Sequence, residues 1–200
     1  MIDPLQLLSA YCEGAFPMGQ DDGSIVWYRP PWRGILPVQD FHVPRRFARY
    51  LADCPFEMRW NTAFGDVMRG CADRESTWIT DAILNTYQEL HRLGFAHSAE
   101  VWRENKLVGG VYGVAIGGAF FGESMFSRET QASKVALTRL QQRLRERGFM
   151  LHDTQWTTPH LAQFGGHEIP CAAYLDLLRR ATRLPVTFDE RPLGTQILMR

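Results

Sequence analysis

Two short runs of the sequence place polar side chains inside segments that otherwise have the pattern of buried strands. Glu123 follows the apolar residues 119–121 and one glycine, and Asp153 and Gln155 lie two positions apart in the run 151–156. Burying a charge is costly unless the charge is paired or faces a water-filled cleft. The sequence therefore predicts a sheet whose strand ends carry chemistry.

Asp153 and Gln155 are the candidate catalytic pair. Side chains alternate along a strand, so these two are expected on one face, with His152 and Thr154 on the other. A carboxylate beside a carboxamide can accept one amide N–H and fix the orientation of the amide, whose oxygen can then accept a hydrogen bond from an amine. On spacing alone, a strand-end hydrogen bond without chemistry is the alternative interpretation.

The helices and strands that would position these side chains are readable from caps and periodicity. Asp3-Pro4 and Thr80 are typical of helix N-termini, and Gly148 follows a long amphipathic helix over 132–147. Helices are predicted to begin near residues 3, 44, 62, 80, 132, 158 and 170, and strands to cover 25–28, 34–38, 56–60, 97–104, 107–116, 119–125 and 149–155. This order predicts an α+β fold.

Length and composition narrow the class of protein. The 200 residues suffice for one medium domain with a small appendage, and no apolar run reaches the length of a membrane span. A formal net charge of zero argues against broad coating of nucleic acid, although it leaves a local RNA contact open. The N-terminus lacks a secretory pattern, and four scattered cysteines without a C-x-x-C pair are typical of free thiols in a reducing cytoplasm.

Sequence motifs for metal and nucleotide sites are not found. The six histidines show no H-x-x-x-H spacing, so no metal site is predicted. The glycine pairs at 109–110 and 117–118 match neither a P-loop nor a dinucleotide-binding turn, and no nucleophile elbow surrounds a serine. No cofactor is therefore expected.

A series of short motifs runs through most of the chain. They are Phe16-Pro17, Thr77-Trp78-Ile79-Thr80, His97-Ser98 with Glu100-Val101-Trp102, residues 107–115, Phe121-Gly122-Glu123-Ser124-Met125-Phe126-Ser127-Arg128, Ala132-Ser133-Lys134, Asp153-x-Gln155 and Glu168-Ile169-Pro170. Together, and in this order, they resemble the leucyl/phenylalanyl-tRNA–protein transferases. Those enzymes move leucine or phenylalanine from a charged tRNA to the N-terminus of a protein.

The resemblance implies a fold with two parts. An acetyltransferase-like (GNAT) fold is expected for residues 41–200, and a small N-terminal subdomain for residues 1–40. Members of the family usually have more chain ahead of the first helix, so this subdomain is expected to be shortened.

The resemblance also implies roles for the candidate residues. Asp153 and Gln155 would orient the attacking amine and help to move its proton. Glu123 would bind the acceptor, which in this family begins with Arg or Lys. The alternative for Glu123 is a buried ion pair with Arg128 or Lys134.

An amino-acid pocket and a tRNA contact are implied by position. The pocket residues are Met18, Trp78, Val111, Phe120, Leu137, Leu140 and His152. The family commonly has an apolar residue at the position of His152 and often tryptophan at that of Met18, so the choice between leucine and phenylalanine stays open. Plain core packing is the alternative for each aromatic residue.

Arg45, Arg46 and Arg49 are predicted to hold tRNA phosphates from one helix surface. A solvated helix face is the alternative interpretation of this cluster. Cys171 follows Pro170 where the family usually has arginine, a change that would weaken a contact with RNA or with a carboxylate.

The expected function is that of a cytoplasmic aminoacyltransferase. Its partners would be leucyl- or phenylalanyl-tRNA and protein N-termini beginning with Arg or Lys, and the reaction would mark proteins for N-terminal-rule degradation. One alternative is an acyl-CoA N-acyltransferase, although the stretch before Gln131 lacks the glycines of a pyrophosphate loop. Others are a relative that builds peptidoglycan bridges, and a non-catalytic or altered-specificity relative that binds tRNA or protein N-termini.

Overall fold

The computed structural model describes residues 2–20 and 22–190. The helices are α1 (Pro4–Cys12), α2 (Arg45–Ala52), α3 (Phe64–Ala72), α4 (Asp81–Arg92), α5 (Ala132–Glu146), α6 (Pro159–Ala162) and α7 (Cys171–Ala181). The strands are β1 (Phe16–Gly19), β2 (Ile25–Tyr28), β3 (Trp32–Ile35), β4 (Glu57–Trp60), β5 (Ala96–Arg103), β6 (Lys106–Ile116), β7 (Ala119–Ser127), β8 (Leu151–Gln155) and β9 (His167–Pro170). The predicted α+β class is confirmed.

Seven strands form the main sheet in the order β4-β5-β6-β7-β8-β3-β9, and β1 pairs with β2 in a separate hairpin. β7 and β8 are parallel, whereas the other pairs of the main sheet are antiparallel. A parallel pair needs a long crossover connection, which α5 supplies. Because β3 lies between β8 and β9, residues 1–40 contribute a strand to the main sheet as well as the separate hairpin.

The predicted helix starts are found in the structure. The Asp3 side chain accepts hydrogen bonds from the backbone N–H groups of Leu5 and Gln6, at 2.7 and 3.1 Å. The hydroxyl of Thr80 accepts the N–H of Ile83 at 3.4 Å. Side-chain acceptors at these positions satisfy N–H groups that have no partner within the helix, so the two caps position α1 and α4.

The sequence pattern does not predict β1 or β9. Each strand has only four residues, and each contains a proline, Pro17 or Pro170, which cannot donate a hydrogen bond to a neighbouring strand. β9 lies at the edge of the main sheet and pairs only with β3. β1 forms by pairing with β2, and β9 forms by pairing with β3, so both depend on the folded arrangement of the chain.

The two faces of the sheet carry separate hydrophobic cores. Phe121 belongs to the core that includes residues of α1, α3, α4 and α7, and its ring lies 4.6 Å from that of Tyr11. Phe120, the preceding residue, belongs to the core beneath α5. The alternation of side chains along β7 thus places successive residues in different cores. None of the helices within residues 2–20 and 22–190 is long and apolar enough to cross a bilayer.

β7 and β8 pair over three residues and then diverge. Ala119, Phe120 and Phe121 of β7 are opposite residues 151–153 of β8. Beyond this point β7 continues along β6, whereas β8 continues along β3 as far as Gln155. The separation opens the sheet at its centre, where the predicted site residues lie.

Glu123 is the extra residue of a β-bulge in β7. Tyr112 of β6 is opposite Ser124, and Gly113 is opposite Gly122, so Glu123 has no residue opposite it. A bulge changes the phase of side-chain alternation and often redirects a side chain next to a functional site. Here the change in phase returns Phe126 to the core that contains Phe121, although five positions separate them.

Candidate active site

A cleft of about 420 Å³ lies between the diverging ends of β7 and β8. Its walls come from β1, from the segment between α3 and α4, from the end of β7, from the first turns of α5 and from residues 152–161. Five of the predicted pocket residues line it: Met18, Trp78, Val111, Leu137 and His152. Phe120 and Leu140 are instead buried in the core beneath α5, where they support the wall from behind.

Asp153 is completely buried and does not line the cleft. Its Oδ1 accepts Arg33 Nε–H at 2.8 Å, and its Oδ2 accepts Arg33 Nη2–H and the Tyr174 hydroxyl, both at 2.6 Å. Oδ1 also accepts the backbone N–H of Gln155 at 2.9 Å. The carboxylate is therefore surrounded by protein donors, one of which is a bidentate guanidinium.

Gln155 does line the cleft, but in a conformation that strand spacing does not predict. Its φ is 59°, in the left-handed region, where a non-glycine residue is under strain. The sequence predicts that the Asp153 carboxylate accepts an N–H of the Gln155 side chain. This prediction is wrong, because the carboxylate accepts the backbone N–H of Gln155 instead. Consequently the two side chains do not share one face: Gln155 faces the cleft, and Asp153 faces Arg33 and Tyr174.

Arg33 and Tyr174 are site-supporting residues that the sequence reasoning missed. The guanidinium of Arg33 lies 4.6 Å from the ring centres of both Phe16 and Tyr174, and its Nη1 donates to the Gly14 carbonyl at 2.9 Å. Burial and the neighbouring carboxylate raise the pKa of Tyr174, so its hydroxyl remains a donor. The strand predicted over 34–38 is found at Trp32–Ile35, so Arg33 lay outside the predicted strand and the pattern gave no signal for its role.

Glu123 lines the cleft from β7 and is partly buried. Its Oε1 accepts the Tyr11 hydroxyl at 2.6 Å, and its Oε2 accepts the Tyr87 hydroxyl at 3.3 Å. Burial is the main cause that raises the pKa of Glu123 to about 7, and the negative charge of Asp153 acts in the same direction. The hydrogen bonds from the two tyrosines, and the charge of Arg33, partly oppose this increase.

The alternative ion pair of Glu123 is not formed. Lys134 Nζ donates to the side-chain oxygen of Gln163 at 3.2 Å, and the guanidinium of Arg128 lies 5.5 Å from the ring centre of Phe126. Neither cation is an ion-pair partner of Glu123 within residues 2–20 and 22–190. Glu123 is therefore a carboxyl group in a cleft with neutral hydrogen-bond partners.

His152 is a neutral residue of the pocket wall. Burial lowers its pKa to about 4, so the ring is uncharged at neutral pH. Its ring packs edge-to-face on Phe120 at 5.3 Å. A Cβ atom on Gly122 would lie only 2.6 Å from Nε2 of His152, which explains the glycine at this position.

Buried polar atoms without a partner in the described part of the chain are concentrated along one wall. Those on residues that line the cleft are His152 Nδ1, Thr154 Oγ1, Gln155 Nε2 and His160 Nε2. Most buried polar atoms in proteins are hydrogen-bonded, so a row of unpartnered ones marks a surface that a polar ligand can satisfy. Val111 and Leu137 contribute apolar side chains to the lining of the same cleft.

Arg45, Arg46 and Arg49 are exposed on α2. Phe47 of the same helix is buried, and Lys134 Nζ lies 6.0 Å from its ring centre. Because Ser133, the neighbour of Lys134, lines the cleft, the arginine-bearing helix lies beside the cleft.

The described residues contain no group of three His, Cys, Asp or Glu side chains placed to hold a metal ion. The four cysteines are free thiols, as the sequence predicts.

Comparison with known proteins identifies the family. The family model described as leucyl/phenylalanyl-tRNA protein transferase matches residues 35–179, and the model of the N-terminal domain of that transferase matches residues 1–31. The chain belongs to this family. The resemblance that the sequence motifs indicate is thus confirmed.

Several members of the leucyl/phenylalanyl-tRNA protein transferase family align over nearly the whole chain. The protein of that name from Ruegeria sp. (strain TM1040) is 52% identical over 197 residues, which cover 97% of this chain and 94% of the relative. That from Paramagnetospirillum magneticum is also 52% identical, covering 92% and 90%. That from Akkermansia muciniphila is 50% identical, covering 90% and 96%. The aligned residues thus cover at least 90% of each of these relatives.

Proposed function

We propose that the protein transfers leucine or phenylalanine from aminoacyl-tRNA to the N-terminal α-amine of proteins that begin with Arg or Lys. The reaction takes place in the cytoplasm and marks those proteins for N-terminal-rule degradation. The observation that carries the proposal is the cleft between β7 and β8, which combines an apolar wall, a row of unpartnered polar atoms that includes Gln155, and the carboxyl group of Glu123.

The fold in this proposal is acetyltransferase-like (GNAT) over residues 41–200, with a small N-terminal subdomain over residues 1–40. The parallel pair β7 and β8, which separates after three paired residues, supports this assignment. Strands that diverge in this way leave room for an extended acyl group and for an amine that approaches it from the other side.

The chemistry is an aminolysis of an ester. The amine nitrogen attacks the ester carbonyl carbon, so a C–N bond forms while the C–O bond to the terminal ribose of the tRNA breaks. The amine loses a proton, and the departing ribose oxygen gains one. Because the ester is already activated, the reaction requires neither ATP nor a further cofactor.

Gln155 is the proposed catalytic contact with the amine. Its side-chain oxygen accepts an amine N–H, which orients the nitrogen lone pair toward the ester. An N-terminal amine has a pKa near ~8, so a useful neutral fraction exists without a strong base. Asp153 acts by holding the backbone of Gln155 in its left-handed conformation, which keeps the amide in the cleft.

Glu123 is the proposed acceptor site. When ionised, its carboxylate attracts the positive charge of an N-terminal amine or of a basic first side chain. Glu123 on β7 and Gln155 at the end of β8 line the same cleft, which supports an approach of the acceptor between the two strands.

Met18, Trp78, Val111, Leu137 and His152 are the proposed contacts of the amino acid being transferred. An apolar pocket distinguishes side chains that differ by one methylene by only ~1–3 kcal/mol. Discrimination against β-branched residues must therefore come from the shape of the pocket close to the backbone of the amino acid.

The first test is transfer of labelled leucine or phenylalanine from charged tRNA to a peptide that begins with Lys. The control is the same peptide with its amine acetylated, and ribonuclease treatment of the donor is the second control. Label only on the free amine, and only with intact tRNA, is the expected result. Absence of transfer from both donors at low salt would contradict the proposal and favour the non-catalytic relative.

Gln155→Ala tests the proposed catalytic contact. We expect kcat to fall by about a hundredfold, the size seen when one positioned hydrogen-bonding group is removed from an active site. Gln142→Ala, on the exposed face of α5, is the matched control and should transfer normally. A Gln155→Ala protein with the full rate would remove the residue from the mechanism.

Replacing Arg45, Arg46 and Arg49 by alanine tests the proposed tRNA contact. We expect KM for aminoacyl-tRNA to rise, and the slope of its salt dependence to decrease by about one for each phosphate that the variant can no longer bind. Arg180→Ala, on the exposed surface of α7, is the control. An unchanged salt dependence in the triple variant would leave the cluster as a solvated helix face.

A further inference from the structure

Two buried tyrosines from different helices meet at the carboxyl group of Glu123. We propose that Tyr11 and Tyr87 are positioning residues of the transfer reaction, whose hydroxyls hold Glu123 as the anion that receives the acceptor amine. This rests on the acceptor role proposed above for Glu123. It extends that role to α1 and α4, which otherwise serve as packing elements.

The three groups form one hydrogen-bonded chain. Tyr11 donates to Oε1 of Glu123 at 2.6 Å, and the hydroxyls of Tyr11 and Tyr87 are themselves in hydrogen-bond contact. Tyr87 also lies 3.3 Å from Oε2. Each phenol has one proton, so the ionised state is satisfied when Tyr87 donates to Tyr11 and Tyr11 donates to Glu123.

Both tyrosines remain donors at every pH at which the protein is expected to work. Both side chains are fully buried, and burial together with the charge of Glu123 raises the pKa of each hydroxyl. A deprotonated tyrosine beside this carboxyl would place two negative charges together, which the buried site disfavours. The Tyr11 proton is therefore directed toward Glu123, and the Tyr87 proton toward the Tyr11 oxygen.

Among the described residues, the direct hydrogen-bond donors to the Glu123 carboxylate are the two tyrosines, and no cation pairs with it. The titratable groups that surround it are Tyr11 from α1, Arg33 from β3, Tyr87 from α4, Tyr112 from β6 and Asp153 from β8. Cys71 and Arg74 contact Ser124, the next residue along β7. The guanidinium of Arg33 is already bound by both oxygens of Asp153. Hence the direct stabilisation of the Glu123 anion comes from neutral hydroxyls.

Tyr112 offers a matched comparison. Its ring packs against that of Tyr87 at a right angle, 5.9 Å between centres, and it is as deeply buried. Its hydroxyl has no hydrogen-bond partner among the described residues. Replacing Tyr112 by phenylalanine therefore changes the same region without removing a donor to Glu123.

Removal of the Tyr11 hydroxyl should make Glu123 harder to ionise. Without this donor the pKa of Glu123 rises above about 7, so the carboxyl group is mostly protonated at neutral pH. A neutral carboxyl group does not pair with an ammonium group. The loss should appear as a higher KM for the acceptor peptide that is recovered at alkaline pH.

The experiment measures kcat/KM for a peptide beginning with Lys between about pH 6 and about pH 9, in wild type, Tyr11→Phe, Tyr87→Phe and Tyr112→Phe. In Tyr11→Phe the acidic limb should move upward by about one to two pH units, as expected when one hydrogen bond to a charged group is removed. Tyr87→Phe should shift the limb less, because Tyr87 donates to Tyr11 and acts on Glu123 mainly through that hydroxyl, its own distance to Oε2 being 3.3 Å. Tyr112→Phe should match wild type. An acidic limb that stays in place in both Tyr11→Phe and Tyr87→Phe would overturn the inference.

A second readout does not depend on transfer. The infrared band of the protonated Glu123 carboxyl group, isolated by subtracting the spectrum of Glu123→Gln, can be titrated in each variant. An upward shift in Tyr11→Phe or Tyr87→Phe supports the inference even if the wild-type protein transfers no amino acid, an outcome that would reject the proposed function alone. An unshifted titration in both variants rejects the inference whatever the activity.

Discussion

Glu123 and Asp153 lie on neighbouring strands of one sheet, yet their carboxylates have different kinds of partner. Asp153 is fully buried and bound by the guanidinium of Arg33, with Tyr174 as a further donor. Glu123 borders the cleft and is bound only by two tyrosine hydroxyls among the partners that the structure describes. A cation compensates the charge of the buried Asp153 carboxylate directly, whereas Glu123 has only neutral donors, and burial raises its pKa to about 7.

The backbone at the two positions reflects the same difference. In β7 the extra residue of the bulge is the carboxylate itself, so Glu123 is redirected toward α1 and α4. In β8 the irregular residue is Gln155, and Asp153 holds it there by accepting its N–H. The β-bulge thus directs the Glu123 carboxyl group, whereas the Asp153 carboxyl group holds the irregular backbone of Gln155 in place.

The largest effect is expected from removing the cation of the anchored carboxylate. Arg33→Met leaves the buried charge of Asp153 without compensation, which should reduce the free energy of unfolding by about 3–5 kcal/mol. Urea denaturation at neutral pH measures this change. Arg69→Met breaks an exposed ion pair with Asp66 and should have almost no effect.

The double variant Arg33→Met, Asp153→Leu refines the same prediction. If the cost in the single variant comes from an unpaired buried charge, removal of that charge should restore much of the stability. A double variant as unstable as Arg33→Met would mean that the packing of the guanidinium between Phe16 and Tyr174, and not the charge, accounts for the effect.

An intermediate change in the free energy of unfolding is expected from Glu123→Gln. At neutral pH this substitution should stabilise the protein, whereas Arg33→Met should destabilise it. The pKa of Glu123 is raised from 4.5 to about 7, so its contribution to stability is fully present below pH 4.5 and is lost as pH rises through about 7. The shift corresponds to roughly 3 kcal/mol. Glu123→Gln should therefore be more stable than wild type at alkaline pH, and this advantage should shrink toward acidic pH.

Urea denaturation of wild type and Glu123→Gln at a series of pH values measures this difference. Other groups titrate equally in both proteins, so only the difference between the curves is informative. A constant difference across the pH range would show that Glu123 has an ordinary pKa. The contrast with Asp153 would then rest on hydrogen-bond partners alone.

The smallest effect is expected from the backbone of Gln155. Gln155→Gly relieves the left-handed conformation and should increase stability by about 1 kcal/mol, while transfer falls by about a hundredfold as in Gln155→Ala. Gln131 at the start of α5 has a φ of 72° and does not line the cleft. Gln131→Gly should give a similar gain with normal transfer, and thermal unfolding with the transfer assay distinguishes the two. A Gln155→Gly protein that loses stability would mean that side-chain contacts in the cleft outweigh the strain.

Local patterns in the sequence were enough for much of the fold. The caps at Asp3 and Thr80, and the helical periodicity that ends at Gly148, depend on interactions within a few residues, so the sequence predicts them well. β1 and β9 escaped prediction because a four-residue strand with a proline has too little pattern to read, and forms only when a neighbouring strand is supplied.

What the sequence determined by itself is the family, the α+β class and the identity of the polar residues in β7 and β8. These follow from residue types and spacing, which are local properties. What only the tertiary structure decided is the partner of each polar group: Arg33 and Tyr174 reach Asp153, and Tyr11 and Tyr87 reach Glu123, from elements far away in the chain. Whether a carboxylate is paired with a cation or held by neutral hydroxyls depends on these distant partners, and for that reason only the folded chain distinguishes Asp153 from Glu123.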